Sequence, residues 1–270
     1  MGKIIISLTT IPSREENLKS ILISLIDQTI KPDKIYINVP KKYNRFEKTF
    51  KKPKFLEDKY FKDVEVNYMA EDYGPATKFI GSLMNDKIKD DDLLLITDDD
   101  VEKVKDWIDT LKTYHKDNRV TCFEEKNLGK EIIWGYLGYI FKKSLFNIND
   151  VLDFYSNVKD KCYLVDDHWF TGFCHFKKIE IYNIPIMTYN DVNKSFEHGG
   201  SKNSLVRLSG KNSRAIASEN CRKIIKEKYN TVFPFWCCLG CCNMKSIEKF
   251  ESVSPISQKT IYMLLLIAIL

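Results

Sequence analysis

Three aspartates, Asp98, Asp99 and Asp100, follow the apolar run Leu93-Leu94-Leu95-Ile96-Thr97. A strand over that run delivers them to the rim of a sheet, and in extended backbone Asp98 and Asp100 point to the same side. Two carboxylates so placed repel and raise each other's pKa unless a cation lies between them. Hard divalent ions such as Mg2+ or Mn2+ favour oxygen ligands and share them with substrate phosphates, so a metal-diphosphate site is one chemistry this pattern suits. A solvated turn, or a cap on the next helix, suits it as well.

Two further groups carry chemical potential. Gly74-Pro75-Ala76-Thr77-Lys78 places a small residue where backbone can approach a ligand, starts a helix with its positive end outward and adds an ammonium one turn in. That arrangement suits a diphosphate, although a plain Gly-Pro helix start with a surface lysine has the same sequence. It is not a P-loop, because the Gly-Lys-Ser/Thr ending is absent. Asp166-Asp167 precede an apolar helix, where two neighbouring carboxylates can lift one pKa into the range of a general base, or where Asp166 simply caps the helix.

The elements that must position these groups alternate. Lys3 to Leu8 reads as a strand buried on both faces, and Ser13 to Glu16 as a capping box. The box opens a helix with Leu18, Ile21, Leu22, Leu25 and Ile26 on one stripe, stopped by Pro32. Strands follow at Lys34 to Val39 and Val64 to Tyr68, a helix from Pro75 to about Met84, and the strand Leu93 to Thr97. Strand-helix alternation predicts a mostly parallel sheet covered by helices, with ligands beyond the carboxyl ends of its strands. Later elements are predicted as helices at Val104 to Tyr114, Ser144 to Tyr155 and Asp167 to Phe176. Strands are predicted at Val120 to Phe123, Ile179 to Tyr182 and Ile186 to Tyr189, with an apolar stretch over Gly135 to Phe141.

Composition narrows the class. The 270 residues are 44% hydrophobic and 29% charged, matching a globular chain and not a disordered, collagen-like or multi-span membrane one. A net charge of +5 from 42 basic and 37 acidic residues is too small and too spread to imply nucleic acid. The opening Met1 to Ser7 lacks a signal-peptide core and the hydroxyl residue that myristoylation wants, so a cytoplasmic protein with mostly free thiols is expected despite eight cysteines.

Four pieces in order, Ser7-Leu8-Thr9-Thr10-Ile11-Pro12-Ser13-Arg14, Asp72 to Lys78, Ile96 to Val101 and Val165-Asp166-Asp167-His168-Trp169-Phe170, resemble nucleotide-sugar glycosyltransferases of the GT-A fold. The resemblance is to family-2-type and viral or bacterial polysaccharide enzymes and spans about residues 3 to 230. A haloacid-dehalogenase phosphohydrolase also carries Asp-x-Asp at a strand end. There, however, the motif closes the first strand and continues x-Thr or x-Val, whereas here Glu102 stands at that place after three strands.

The resemblance implies an α/β GT-A (Rossmann-like) sheet, a UDP-sugar donor, a glycan or other hydroxyl acceptor, and Mn2+ or Mg2+ as cofactor. It brings Thr9, Pro12 and Arg14 beside the nucleotide, where a helix start next to a guanidinium favours anions. It brings Asp72 to the nucleotide and Lys78 to the phosphates. Asp100 becomes a metal ligand, Asp98 a ribose or metal contact, and Asp99 a further donor-side residue. His198, in the glycine-bearing Glu197-His198-Gly199-Gly200, is the candidate third ligand. Asp167 becomes the general base of an inverting transfer, with Asp166 and the apolar face of Trp169 toward the acceptor. Gly135 to Gly138 either let the donor sugar lie against backbone or serve ordinary strand packing.

The end of the chain differs in kind, suggesting one catalytic domain over 1–235 and a tail over 236–270. Cys237, Cys238, Cys241 and Cys242 lack the second separated pair of a structural zinc site. The final apolar run, Ile261 to Leu270, is too short to span a bilayer as a helix. Peripheral membrane contact through acylated cysteines, or docking on the body of the protein, are the two roles that fit.

Overall fold

A computed structural model of the chain describes residues 2–124, 132–185, 193–194 and 213–231. Contacts divide the chain into Met1–Phe235 and Trp236–Leu270, and every described residue belongs to the first unit. The cysteine cluster and the apolar run at the end lie outside the described residues, as do residues 186–189, the last predicted strand. Among the described residues no helix is long and apolar enough to cross a membrane.

The first half folds as β1 (Ile4–Leu8), α1 (Glu15–Ile26), β2 (Lys34–Pro40), β3 (Val64–Met69), α2 (Thr77–Met84) and β4 (Leu93–Ile96). The second half continues with β5 (Glu102–Lys103), α3 (Trp107–Tyr114), β6 (Arg119–Phe123), β7 (Tyr139–Lys142), α4 (Ile148–Cys162), α5 (Asp166–Phe176), β8 (Glu180–Ile184), β9 (Asn193–Lys194) and α6 (Ser213–Tyr229). Seven strands form one sheet in the order β3-β2-β1-β4-β7-β6-β8, and β5 pairs with β9 in a small second sheet. Within the large sheet β7 alone runs against its neighbours β4 and β6, while all other pairs are parallel. The architecture is therefore the expected α/β one: a mixed, mostly parallel sheet flanked by helices.

The apolar runs explain the layering. Alternate residues Ile5, Tyr36, Leu94, Ile96, Val120 and Phe141 share one core with α2, α4, α5 and α6. Residues of the opposite parity, Ile4, Ile6, Leu8 and Leu95, are equally buried, so the central strands are covered on both faces. Leu18, Ile21, Leu22 and Leu25 of α1 are fully buried, as their spacing predicted.

The start of α1 departs from the sequence reading. Pro12, Ser13 and Arg14 form a 3-10 turn, α1 begins at Glu15 and no side chain caps it. Pro12 at the first position of the turn shifts the helical register past Ser13, and the capping box does not form.

A buried polar chain fixes α2 on the sheet. Asn67 Nδ2 donates to Asn38 Oδ1 at 2.7 Å, Asn38 Nδ2 donates to Ser7 Oγ at 2.7 Å, and Ser7 Oγ donates to the carbonyl of Lys78. Gly81 lies against this chain, and a Cβ there would fall 2.7 Å from Asn38 Cγ. Four residues from β3, β2, β1 and α2 thus satisfy one another where an unpaired polar group would be costly.

Cys162 at the end of α4 and Cys221 of α6 form a disulfide, while Cys122 and Cys174 are buried free thiols. The expectation of free thiols fails at this pair because α4 and α6 pack with these two Cα atoms only 4.8 Å apart.

Gly138 has φ +89°, and a Cβ there would lie 2.3 Å from Trp107 Cζ2, while the indole Nε1 donates to the Leu137 carbonyl at 2.8 Å. This glycine is required by packing against Trp107. Gly138→Ala is expected to cost about 2–4 kcal/mol, because backbone strain and overpacking both oppose it. A urea midpoint equal to the wild type would contradict that account.

Candidate active site at the carboxyl ends of β1 and β4

From β1 the chain proceeds to β2 and β3 on one side and returns to β4 on the other, so the strand order reverses between β1 and β4. The crevice beyond the carboxyl ends of such a pair is where open α/β sheets bind ligands. β1 delivers Thr9 to Arg14 to that crevice and β4 delivers Asp98 to Asp100, with the Thr97 amide donating to the Ser7 carbonyl at 3.1 Å to hold the two ends together.

β4 ends at Ile96, and residues 99 and 100 bend. Strand alternation therefore does not extend through the aspartates: Asp98 turns to one cation, and Asp99 and Asp100 share another. Lys78 Nζ lies 2.8 Å from Asp98 Oδ1 and also pairs with Asp166 Oδ2. Arg14 Nη1 pairs with Asp99 Oδ1 and lies 3.3 Å from Asp100 Oδ2. The second oxygen of Asp99 is buried with no hydrogen-bond partner.

The charges are tightly coupled. Lys78 is 1% exposed, and although burial disfavours its ammonium, Asp166, Asp98 and then Asp167 hold its pKa well above the usual value. Burial opposes ionisation of Asp98, but Lys78, Lys103 and Arg14 bring its pKa below the ordinary carboxylate range. Asp100 goes the other way: burial and the charges of Asp98 and Asp99 push it up to about 6. Lys103 of β5 is buried, donates to the Tyr136 carbonyl and lies 5.7 Å from the Trp107 ring centre; burial pushes it down to about 7 against the pull of Asp98 and Asp100.

The acidic pair on α5 is positioned by the helix start. Val165 occupies the capping position without a side-chain bond, and Asp166 and Asp167 are the first two helical residues. Asp166 is thus committed to Lys78 and is not the cap. Asp167 Oδ1 accepts from the Gly135 amide at 2.8 Å, and the Asp167 carbonyl accepts from Thr171 Oγ1 at 2.6 Å. Gly135 closes the arrangement, since a Cβ there would lie 3.0 Å from Asp98 Oδ1 and 3.1 Å from Lys78 Nζ. The loop before β7 therefore rests directly on the Lys78–Asp98 pair.

Several residues fall elsewhere than their sequence roles required. Lys78 is buried under two carboxylates and does not present its ammonium to a phosphate. Trp169 is entirely buried among Phe79, Phe154 and Tyr155, with ring centres 5.3 to 6.5 Å away, and has no face for an acceptor sugar. Asp72 is a clamp: Oδ1 accepts from the Gly74 amide at 2.8 Å, and Oδ2 accepts from the Asn44 amide and the Tyr163 hydroxyl, each at 2.7 Å. Thr9 and Pro12 are half-buried on the β1 loop. His198 lies outside the described residues.

Sequence reasoning missed Lys103, whose place in the cluster depends on β5 folding back beside α1, where the Lys103 amide donates to Ser24 Oγ at 3.2 Å. The one available signal was its two-residue spacing from the apolar Val101, which puts both on the buried side.

Fully ionised, this connected set holds Asp98, Asp99, Asp100, Asp166 and Asp167 against Arg14, Lys78 and Lys103, two negative charges in excess. Among the described residues no three of His, Cys, Asp and Glu form a ready metal cage. Hard oxygen donors, an excess of two negative charges and the orphaned Asp99 oxygen nevertheless fit a hard divalent cation in charge and in donor type.

No family model matches the chain, and no curated protein matches it. Among solved structures, the mannosyltransferase PcManGT from Pyrobaculum calidifontis, in complex with GDP-Man and Mn2+, is similar at 11% identity and TM-score 0.47 over 68% of this chain. TarS from S. aureus is similar at 14% identity and TM-score 0.45 over 69% of this chain. The 2-C-methyl-D-erythritol 4-phosphate cytidylyltransferase IspD of Francisella tularensis is similar at 15% identity and TM-score 0.41, over 70% of this chain and 94% of its own. The chain spans 55% of the mannosyltransferase's length and 36% of that of TarS.

Proposed function

We propose that the chain is a divalent-metal-dependent glycosyltransferase that moves a sugar from a nucleotide-sugar donor, UDP-linked, to a glycan or other hydroxyl acceptor with inversion. The observation that carries this reading is the acidic cluster at the strand-order reversal, where, fully ionised, five aspartates outnumber Arg14, Lys78 and Lys103 by two. A bare anion would be repelled there, whereas an anion that arrives with a dication is accepted. Asp98 and Asp100 would hold Mn2+ or Mg2+, which when bound neutralises the leaving diphosphate. His198 is the further ligand we propose; it follows β9 in sequence, and β9 pairs with β5 just past Asp100.

The chain's own groups divide the remaining work. Arg14, partly exposed beside Asp99 and Asp100, orients the donor diphosphate with the Thr9 to Pro12 loop. Lys78 holds Asp98 and Asp166 in place and supports the anion through its field. Asp72 fixes the Gly74 turn at the start of α2. Asp167 takes the proton of the acceptor hydroxyl as its oxygen bonds to the anomeric carbon, and the nucleoside diphosphate leaves with the electron pair of the broken bond. The Asp167 bond to the Gly135 amide also favours a second reading, a donor-binding protein in which Asp167 only fixes that loop.

A thermal-shift panel of nucleoside diphosphates and sugar nucleotides, with and without Mn2+, tests the donor assignment. A ligand at a hundredfold excess over its Kd adds about 2.7 kcal/mol to the folded state, roughly 5–10 °C for a chain of this size. The reading fails if no nucleotide gives a metal-dependent shift. Asp167→Asn then separates the two readings: a transferase loses at least about 100-fold in turnover while its nucleotide shift persists.

A further inference from the structure

A cavity of about 400 Å3 opens between the Glu71–Tyr73 segment and the end of α4. Its walls include Glu71, Tyr73, Tyr155, Lys159, Asp160 and Tyr163. Two contacts tie it to the turn that starts α2: the Tyr163 hydroxyl donates to Asp72, whose other oxygen accepts from the Gly74 amide four residues before Lys78. Gly74 itself, with φ +60°, leaves no room for a Cβ against the Tyr163 carbonyl, 2.7 Å away. Tyr163 is also three residues before Asp166, so each wall is followed in the chain by a residue of the acidic cluster, Lys78 on one side and Asp166 on the other.

The lining selects a ligand class. Glu71, Asp72 and Asp160 against Lys159 leave the cavity net negative, which disfavours a phosphate. The half-buried Tyr73 ring meets the buried Tyr155 ring edge to face at 5.7 Å and 66°, which leaves no parallel slot for a planar base. The half-buried Tyr73 and Tyr163 rings beside carboxylates and an ammonium match a sugar, whose C–H face packs on an aromatic ring while its hydroxyls hydrogen-bond to charged side chains.

We propose that this cavity is a subsite for a neutral or amine-bearing sugar unit of the acceptor glycan. The assignment rests on the transferase reading for its role, although not for the binding itself.

The test is saturation-transfer NMR on the full chain with neutral and amino-sugar oligosaccharides: maltotriose, mannotriose, chitotriose and chitosan trimer. It is run on the wild type, on Tyr73→Ala and on Lys159→Trp, which fills the cavity from an exposed helix position. Binding is expected to at least one probe, weakened roughly tenfold or more in both variants. The Mn2+-dependent nucleotide shift should stay unchanged in Lys159→Trp, which also shows that this variant is folded. No binding to any probe, affinity unchanged in Lys159→Trp, or displacement of the sugar by uridine would overturn the proposal, the last by making the cavity a base pocket. Sugar binding that depends on the cavity, without any nucleotide shift, would retain the subsite and remove the transferase. A nucleotide shift without sugar binding would do the reverse.

Discussion

Replacing Lys78 with methionine is expected to destabilise the protein by about 3–5 kcal/mol, the range for breaking a buried ion pair from one side. The ammonium is 1% exposed and neutralises Asp98 and Asp166 together, so its loss strands the largely buried Asp166 carboxylate and leaves Asp98, 30% exposed, with only part of its hydration in exchange. The pH dependence has a definite sign. The folded-state pKa of Asp98 lies below its unfolded value, so its contribution is present above about pH 4 and is lost as pH falls through the folded value. In Lys78→Met the stranded carboxylates can escape only by protonation, so the deficit should shrink steadily from pH 7 toward pH 4. Adding Asp166→Asn should recover part of the loss by removing one of the stranded charges. Urea denaturation of the single and double variants across that range checks both statements, and a deficit that does not depend on pH would show that Lys78 acts by packing alone.

The second large effect runs in opposite directions for stability and for binding. Asp100 is pushed up to about 6 in the folded chain, against about 3.9 for an unperturbed aspartate. A carboxyl raised in this way binds its proton more tightly folded than unfolded. Its ionisation therefore opposes folding: the penalty is absent below about pH 4 and complete above about pH 6. Asp100→Asn in EDTA is expected to be more stable than the wild type at pH 7.5 by on the order of 1–3 kcal/mol, with the gap closing toward pH 4. The same variant should lose the Mn2+-dependent nucleotide shift. If Asp100→Asn instead lowers stability at pH 7.5, the carboxylate is held by attractions that outweigh Asp98 and Asp99. Functional sites commonly keep such strain at a cost to stability.

The sheet was legible because its strands are short apolar runs bounded by Pro, Thr and Asp, and the candidate residues of β1 and β4 stand where the strand order reverses, as the alternation implied. What could not be read locally was pairing over long separations. Lys78 and Asp166 stand 88 residues apart, and nothing in the Gly74 to Lys78 turn reveals that its lysine points inward to a carboxylate instead of outward to a ligand. Trp169 was misassigned for a related reason: within Trp169-Phe170-x-x-Phe173 the helix turns every large ring inward, and only the packing of α4 and α2 shows that no side is left open. Alternation through Asp98, Asp99 and Asp100 failed because it presumed a strand that stops at Ile96. Asn38 and Gly81 look unremarkable in sequence and together seat α2 on the sheet.

The bond between Cys162 and Cys221 encloses α5, β8 and the chain up to α6, a separation of 59 residues. In the chain-entropy account a closure of this length restrains the unfolded ensemble by about 4 kcal/mol. It also means that a protease cut inside that segment releases no fragment until a reducing agent is added, because the piece bearing the aspartate pair would remain covalently attached to the helix that follows it.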